Sequence, residues 1–293
     1  MSIFFMSYIE IPEYQVPTTT MDPETSTYID HIVDRRIIVA FDLFGTLLST
    51  ESIAKKIAEY HGDKADSIST AWRKYQLEYT WRLNSMSLYE PFDTITKKSL
   101  IHAVSEATGA PPPADDPSIP AILSAYASLT PFPDVRPCLD AISSIKHIQL
   151  IIFTNGSPQM VENALHHTPE LELFATIRDA MLSADEIEKY KPHPMIYQYL
   201  AAKMGKSIDM DEKHGGIDEV VLISANPFDI SGAQAVGMTA IWVDRAGKGW
   251  HDALLDERPK NVVGSLEELK SVLQGILETK SKVWDEASAS DQS

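Results

Sequence analysis

Residues 36–47 read Arg-Ile-Ile-Val-Ala-Phe-Asp-Leu-Phe-Gly-Thr-Leu. The run from Ile37 to Phe41 is apolar and partly β-branched, the composition of a strand buried on both faces of a parallel sheet. Asp42 stands at its carboxyl end, and a Gly45-Thr46 turn follows. Open α/β sheets bind ligands just beyond the carboxyl ends of their strands. Asp42 is therefore placed for chemistry. Phe44, two residues further on, is a phenyl ring, so the segment reads as a carboxylate nucleophile without an acidic partner for a metal.

Beyond this turn the pattern changes. Helical spacing runs through 53–60, 67–83, 94–107 and 120–129 with no intervening strand, broken by the Pro-rich loop that starts at Gly109. Strand-like runs return at 148–153, 219–223 and 239–243. Helical stretches at 135–145, 158–166, 194–204, 230–236 and 266–277 alternate with them. The alternation predicts a parallel α/β sheet with right-handed crossovers, and a helical insertion forming a cap over the strand ends. The expected division is a core of 36–50 and 131–280 with a cap of 51–130. A poorly ordered extension over 1–35 and a disordered Ser/Ala/Asp-rich tail over 281–293 complete it.

Composition narrows the partners. Of 293 residues, 25 are basic and 42 acidic, a net charge of −17 that argues against nucleic acid and anionic membranes. An anionic substrate would need local positive charge. The 44% hydrophobic content allows an ordinary core. Cys138 is the single cysteine, which precludes an intrachain disulfide and fits a reducing compartment. No signal-peptide pattern opens the chain and no window reaches the length of a membrane helix, so a soluble, cytoplasmic protein is expected.

Four further segments can converge on Asp42. Thr154-Asn155-Gly156-Ser157-Pro158 leaves a strand, and Thr154 and Asn155 could bind an anion there; capping by Ser157 is the plainer alternative. Lys191-Pro192-His193-Pro194 precedes a helix carrying Tyr197, and a solvated lysine is its plainer reading. Ser224-Ala225-Asn226-Pro227-Phe228-Asp229 leaves another strand, with Asn226 as a helix cap and Asp229 as a first-turn acid for its structural alternative. In the cap, Arg73, Leu77 and Trp81 recur every four residues and share one helix face. An arginine on such a stripe commonly snorkels; facing Asp42, it would make an anion site.

Taken together, these segments resemble the haloacid dehalogenase superfamily and specifically its L-2-haloacid dehalogenases, over roughly Arg36 to Leu277. Many superfamily hydrolases hold magnesium with acids at the positions of Phe44 and Ser224. A magnesium-dependent phosphatase is therefore the weaker alternative, and a non-catalytic binding protein is disfavoured by the intact Asp42, Arg73, Lys191 and Asp229. The resemblance implies a Rossmann-like, doubly wound core with a helical cap, no cofactor, no metal, a small 2-haloacid substrate and, as often in the family, a homodimer. It implies Asp42 as nucleophile and Arg73 with Asn155 as receivers of the halide. Leu43, Thr46, Thr154, Lys191, Tyr197, Ser224, Asn226 and Asp229 match further site positions, and Leu77, Phe92 and Phe228 match the apolar pocket. Asp229, Asn226 and Lys191 all stay open as the group that orients the hydrolytic water. His193, Pro227 and Phe228 depart from the usual pattern, as does threonine at 154.

Overall fold

The computed structural model describes residues 35–177, 180–209 and 214–290. Its core is one six-stranded parallel sheet of order β3-β2-β1-β4-β5-β6. The strands are β1 (Ile37–Phe41), β2 (Ile148–Thr154), β3 (Met181–Ser183), β4 (Val220–Ser224), β5 (Thr239–Val243) and β6 (Asn261–Val263). All five residues of β1 are fully buried, as its apolar composition requires. Side chains alternate between faces with the two-residue period of a strand. Ile37, Val39 and Phe41 join the apolar cluster containing α5 (Val135–Ile142) and α10 (Leu269–Ser290); Ile38 and Ala40 join that of α8 (Pro194–Lys203) and α9 (Pro227–Ala235). The sheet is thus covered on both sides.

Two short strands, β3 and β6, were not among the predicted ones. With three residues each, they are too short to display alternation. Helices α6 (Pro158–His167) and α7 (Glu172–Thr176) carry the chain from β2 toward β3.

The insertion after β1 folds as helices α1 (Ala54–His61), α2 (Ala65–Met86), α3 (Phe92–Thr108) and α4 (Ser118–Tyr126). Trp72 of α2, 1% exposed, donates its indole N–H to the Thr96 carbonyl of α3 at 2.8 Å and packs on Tyr126 of α4. Gln76 donates to Thr96 Oγ1 at 3.0 Å. These buried contacts fix the long helix that presents Arg73.

The expectation of a disordered tail needs correction: α10 continues through its first ten residues to Ser290. Trp284 supplies the reason. It is 1% exposed and donates to Glu219 Oε1 at 2.7 Å, while Glu219 Oε2 accepts from the buried Lys206 ammonium at 2.7 Å. Lys280 pairs with Asp218, and Arg35 with Asp285 at 2.9 Å. One buried tryptophan anchors a segment whose polar composition otherwise reads as unstructured. The extension expected to be poorly ordered lies, up to residue 34, outside the described residues, as do 291–293. Among the described residues, no helix is long and apolar enough to cross a membrane.

Candidate active site

Strand register assembles the site. Phe41 is level with Ile152 on one side and Ile223 on the other, so the residues just beyond these three strands emerge together. β1 lies between β2 and β4, where the order of connection reverses, the crevice in which open α/β sheets bind ligands. The Asp42 N–H donates to the Ile223 carbonyl at 3.0 Å, prolonging the ladder by one residue and aiming the carboxylate into that crevice. Asp42 is 6% exposed.

The two carboxylate oxygens of Asp42 differ. Oδ2 accepts from Thr46 Oγ1 and from Asn226 Nδ2, each at 2.7 Å. Oδ1 accepts only a longer contact from Lys191 Nζ, at 3.3 Å, among the described residues. The lysine is itself tightly held. Its ammonium donates to Asp229 Oδ2 at 2.8 Å and to the Phe153 carbonyl at 2.7 Å, and lies 4.0 Å from the centre of the Phe153 ring. A fully buried ammonium is tolerable only when paired and hydrogen-bonded, and Lys191 is both. Tyr197 completes the network by donating to Asp229 Oδ1 at 2.8 Å. Burial pushes the Asp229 carboxyl above the usual range, against the pull of Lys191 and with the help of the Asp42 charge. Burial likewise raises the Tyr197 phenol, seconded by Asp229, so it stays a hydrogen-bond donor.

Arg73 reaches the turn from the cap. Its Nη2 donates to the Phe44 carbonyl and to Asn226 Oδ1, both at 3.2 Å. Both acceptors are neutral, so contact with them leaves the guanidinium charge available to an anion. Asn155 Oδ1 accepts the Lys191 backbone N–H at 2.8 Å, which leaves Nδ2 as its remaining donor. Thr154 and Ser224 are fully buried and accept the N–H of Gly156 at 3.0 Å and of Asn226 at 3.1 Å. These hydroxyls shape the two turns that carry Asn155 and Asn226.

The apolar residues divide in two. Phe44 stacks on Phe92 at 6.2 Å and on Tyr126 at 5.6 Å, and Trp81 meets Phe228 edge to face at 5.6 Å across the cap and core. Leu77 is half-buried on the Arg73 face of α2. Leu43, by contrast, has its side chain fully buried in the core, while its carbonyl accepts the N–H groups of Thr46, Leu47 and Leu48. It shapes the turn and could meet a substrate only through its backbone.

Sequence reasoning missed the Phe153 carbonyl as a partner of Lys191, since any residue supplies a carbonyl. It also missed the role of His193, whose Nδ1 accepts the Met195 N–H at 3.2 Å and caps α8. Among the described residues, no group of three or more acids, histidines or cysteines is arranged to hold a metal.

The haloacid dehalogenase-like hydrolase family matches residues 38–237. Haloacetate dehalogenase H-2 of Moraxella sp. (strain B) is 30% identical over 71% of this chain and 86% of its own length. (S)-2-haloacid dehalogenase 2 of Pseudomonas sp. (strain CBS-3) is 30% identical over 80% of this chain and 94% of its own. Among solved structures, the L-2-haloacid dehalogenase of Xanthobacter autotrophicus is 26% identical, with a TM-score of 0.69, covering 82% of this chain and 99% of that one. The same enzyme with chloropropionic acid covalently bound superposes with a TM-score of 0.69 at 25% identity and the same coverage. The Asp42 turn, the lysine–carboxylate network and the cap arginine thus occur in a chain that belongs to the haloacid dehalogenase-like hydrolases, among the L-2-haloacid dehalogenases.

Proposed function

We propose that the protein hydrolyses short L-2-haloalkanoic acids to D-2-hydroxy acids and halide through an aspartyl ester on Asp42. One observation carries this reading: the Asp42 carboxylate is held firmly by one oxygen and loosely by the other, beside a guanidinium that, among the described residues, donates to two neutral oxygens. Oδ1 attacks C2 of the substrate from the side opposite the halogen. The Oδ1–C2 bond forms as the carbon–halogen bond breaks, and the halide departs with the bonding pair. Arg73 and Asn155 Nδ2 stabilise that anion, each such preorganised donor being worth about 3–4 kcal/mol.

Water then attacks the Asp42 carboxyl carbon of the ester. The bond from that carbon to the former Oδ1 breaks, and the product leaves with this oxygen and one of the water's protons as its hydroxyl. The solvent oxygen renews the carboxylate, and the second proton is released to solvent. Of the groups that could orient the water, Asn226 and Lys191 touch Asp42 directly. Asp229 acts one step removed, as a basic carboxylate bonded to Lys191. Configuration at C2 inverts once. Lys191 supplies the positive charge between Asp42 and Asp229, and Phe44 and Ser224 offer no carboxylate, so the reaction proceeds without a metal ion.

Halide release should follow L- but not D-2-chloropropionate, with phosphate esters inert. A single turnover in oxygen-18 water with enzyme in excess should label Asp42 and leave the hydroxy acid largely unlabelled. Label found chiefly in the product hydroxyl would make Asp42 a general base. Chelation should leave turnover unchanged; activity lost to a chelator and restored by magnesium would overturn metal independence. The homodimer implied by the family belongs to the same reading, and sedimentation tests it.

A further inference from the structure

Lys191 needs an exact position, because a displaced ammonium would release both Asp42 and Asp229. Two carboxylates and the Phe153 carbonyl hold its head group; its backbone is held by two asparagines. Asn155 of the core accepts the Lys191 N–H at 2.8 Å. Asn84 of the cap brackets the preceding residue: Oδ1 accepts the Tyr190 N–H at 3.1 Å and Nδ2 donates at 2.7 Å to the Tyr190 carbonyl, which shares its peptide plane with the Lys191 N–H. Asn84 lies in the last turn of α2, the helix that carries Arg73. Asparagine is a weak helix former, and here its side chain is turned across to the core instead of back to its own backbone. Two neighbouring ties join the same segments: Tyr89 donates to Asp185, and the Tyr190 phenol donates to the Glu90 carbonyl.

We propose that Asn84 is a positioning residue for Lys191. Through it, the seating of the cap that brings Arg73 to the turn also fixes the lysine beside Asp42. One rigid helix then delivers the halide's cation and locks the nucleophile's cation together, so the full site exists only when the cap is seated. The chemistry of this proposal rests on the dehalogenase reading above.

The two bonds made by Asn84 are not equivalent. The Tyr190 carbonyl also accepts the His193 N–H at 2.9 Å, so it keeps a partner without Asn84. Among the described residues, the Tyr190 N–H has only Asn84 Oδ1. Asn84→Ala therefore strands a donor in a fully buried residue, whereas Asn84→Asp retains that acceptor while setting its second oxygen against the Tyr190 carbonyl.

The test measures kcat, KM and melting temperature for Asn84→Ala and Asn84→Asp, each alone and combined with Lys191→Ala, and amide exchange at Tyr190. Asn84→Ala should lower kcat roughly 10- to 100-fold, the cost of a misplaced group. KM should stay within about threefold, and the melting temperature should fall about 2–4 °C. Asn84→Asp, which keeps the acceptor but not the donor, should recover part of the turnover. On the Lys191→Ala background, Asn84→Ala should cost little more, since the group it positions is gone. Tyr190 amide exchange should quicken at least about tenfold in Asn84→Ala. Unchanged kcat in Asn84→Ala overturns the proposal, as does the same loss on both backgrounds. If the wild-type protein releases no halide from any 2-haloacid, the dehalogenase reading fails instead. Unchanged Tyr190 exchange in Asn84→Ala would then overturn the clamp as well.

Discussion

Single atoms decide what this site can do. Asp42→Ala removes the oxygen proposed to attack C2 and should abolish halide release from a protein that still folds; wild-type-like turnover by that variant would end the covalent mechanism. Arg73→Ala should reduce kcat by roughly a hundredfold or more, as loss of one transition-state donor does. Arg73→Lys should recover only part, because a point charge replaces a planar fork; near-normal kinetics in Arg73→Ala would reduce Arg73 to packing. Gly156 matters through space. A methyl group there would stand 2.6 Å from Phe44 Cε2, and the ring is already stacked on Phe92 and Tyr126. Gly156→Ala should cost about 1–3 kcal/mol by overpacking, which denaturant unfolding can read. Asp42 was legible because an acid at a strand end is a position in a pattern. The bonding of Arg73 to two neutral oxygens was not, since helical spacing gives the face on which a side chain lies and not the atoms it reaches.

At the level of elements, strand ends and helix starts carry nearly all the candidate site residues, and sequence pattern located most of them. β1, β2, β4 and β5 were legible from apolar runs, and α2 from its spacing. β3 and β6 escaped notice for want of length, and helicity past residue 280 because one tryptophan outweighs its polar neighbours. The start of α8 offers a pH test. His193 caps it through a neutral Nδ1, and burial, aided by Lys189, lowers the imidazole's pKa. The unfolded chain therefore takes up a proton near pH 6.5 while the folded one resists it. Stability from this group is present above pH 6.5 and lost as pH falls through the lower folded value. A cap is worth about 1 kcal/mol, and partial exposure keeps the effect modest. His193→Asn, an acceptor that does not titrate here, should flatten this part of the pH–stability curve; an unchanged slope would show that other groups set it.

Across the whole molecule, the buried trio of Lys206, Glu219 and Trp284 ties α10 to the amino end of β4, away from the turns that carry the candidate site. Trp284→Ala should cost about 3–5 kcal/mol in stability. A loss below about 1 kcal/mol in thermal or urea unfolding would mean that the helix adds little. The sheet order has a consequence for synthesis. Among the described residues β1 is the first strand translated and it lies inside the sheet, yet both its neighbours, β2 and β4, follow the cap insertion. About a hundred residues separate Phe41 from Ile148, a wait of roughly 5–20 s at ordinary elongation rates. Throughout that interval a wholly apolar strand has been made while neither of its two partner strands, β2 and β4, yet exists. Nascent chains halted before β2 should therefore associate with holding chaperones, and release of those chains should follow the emergence of β4.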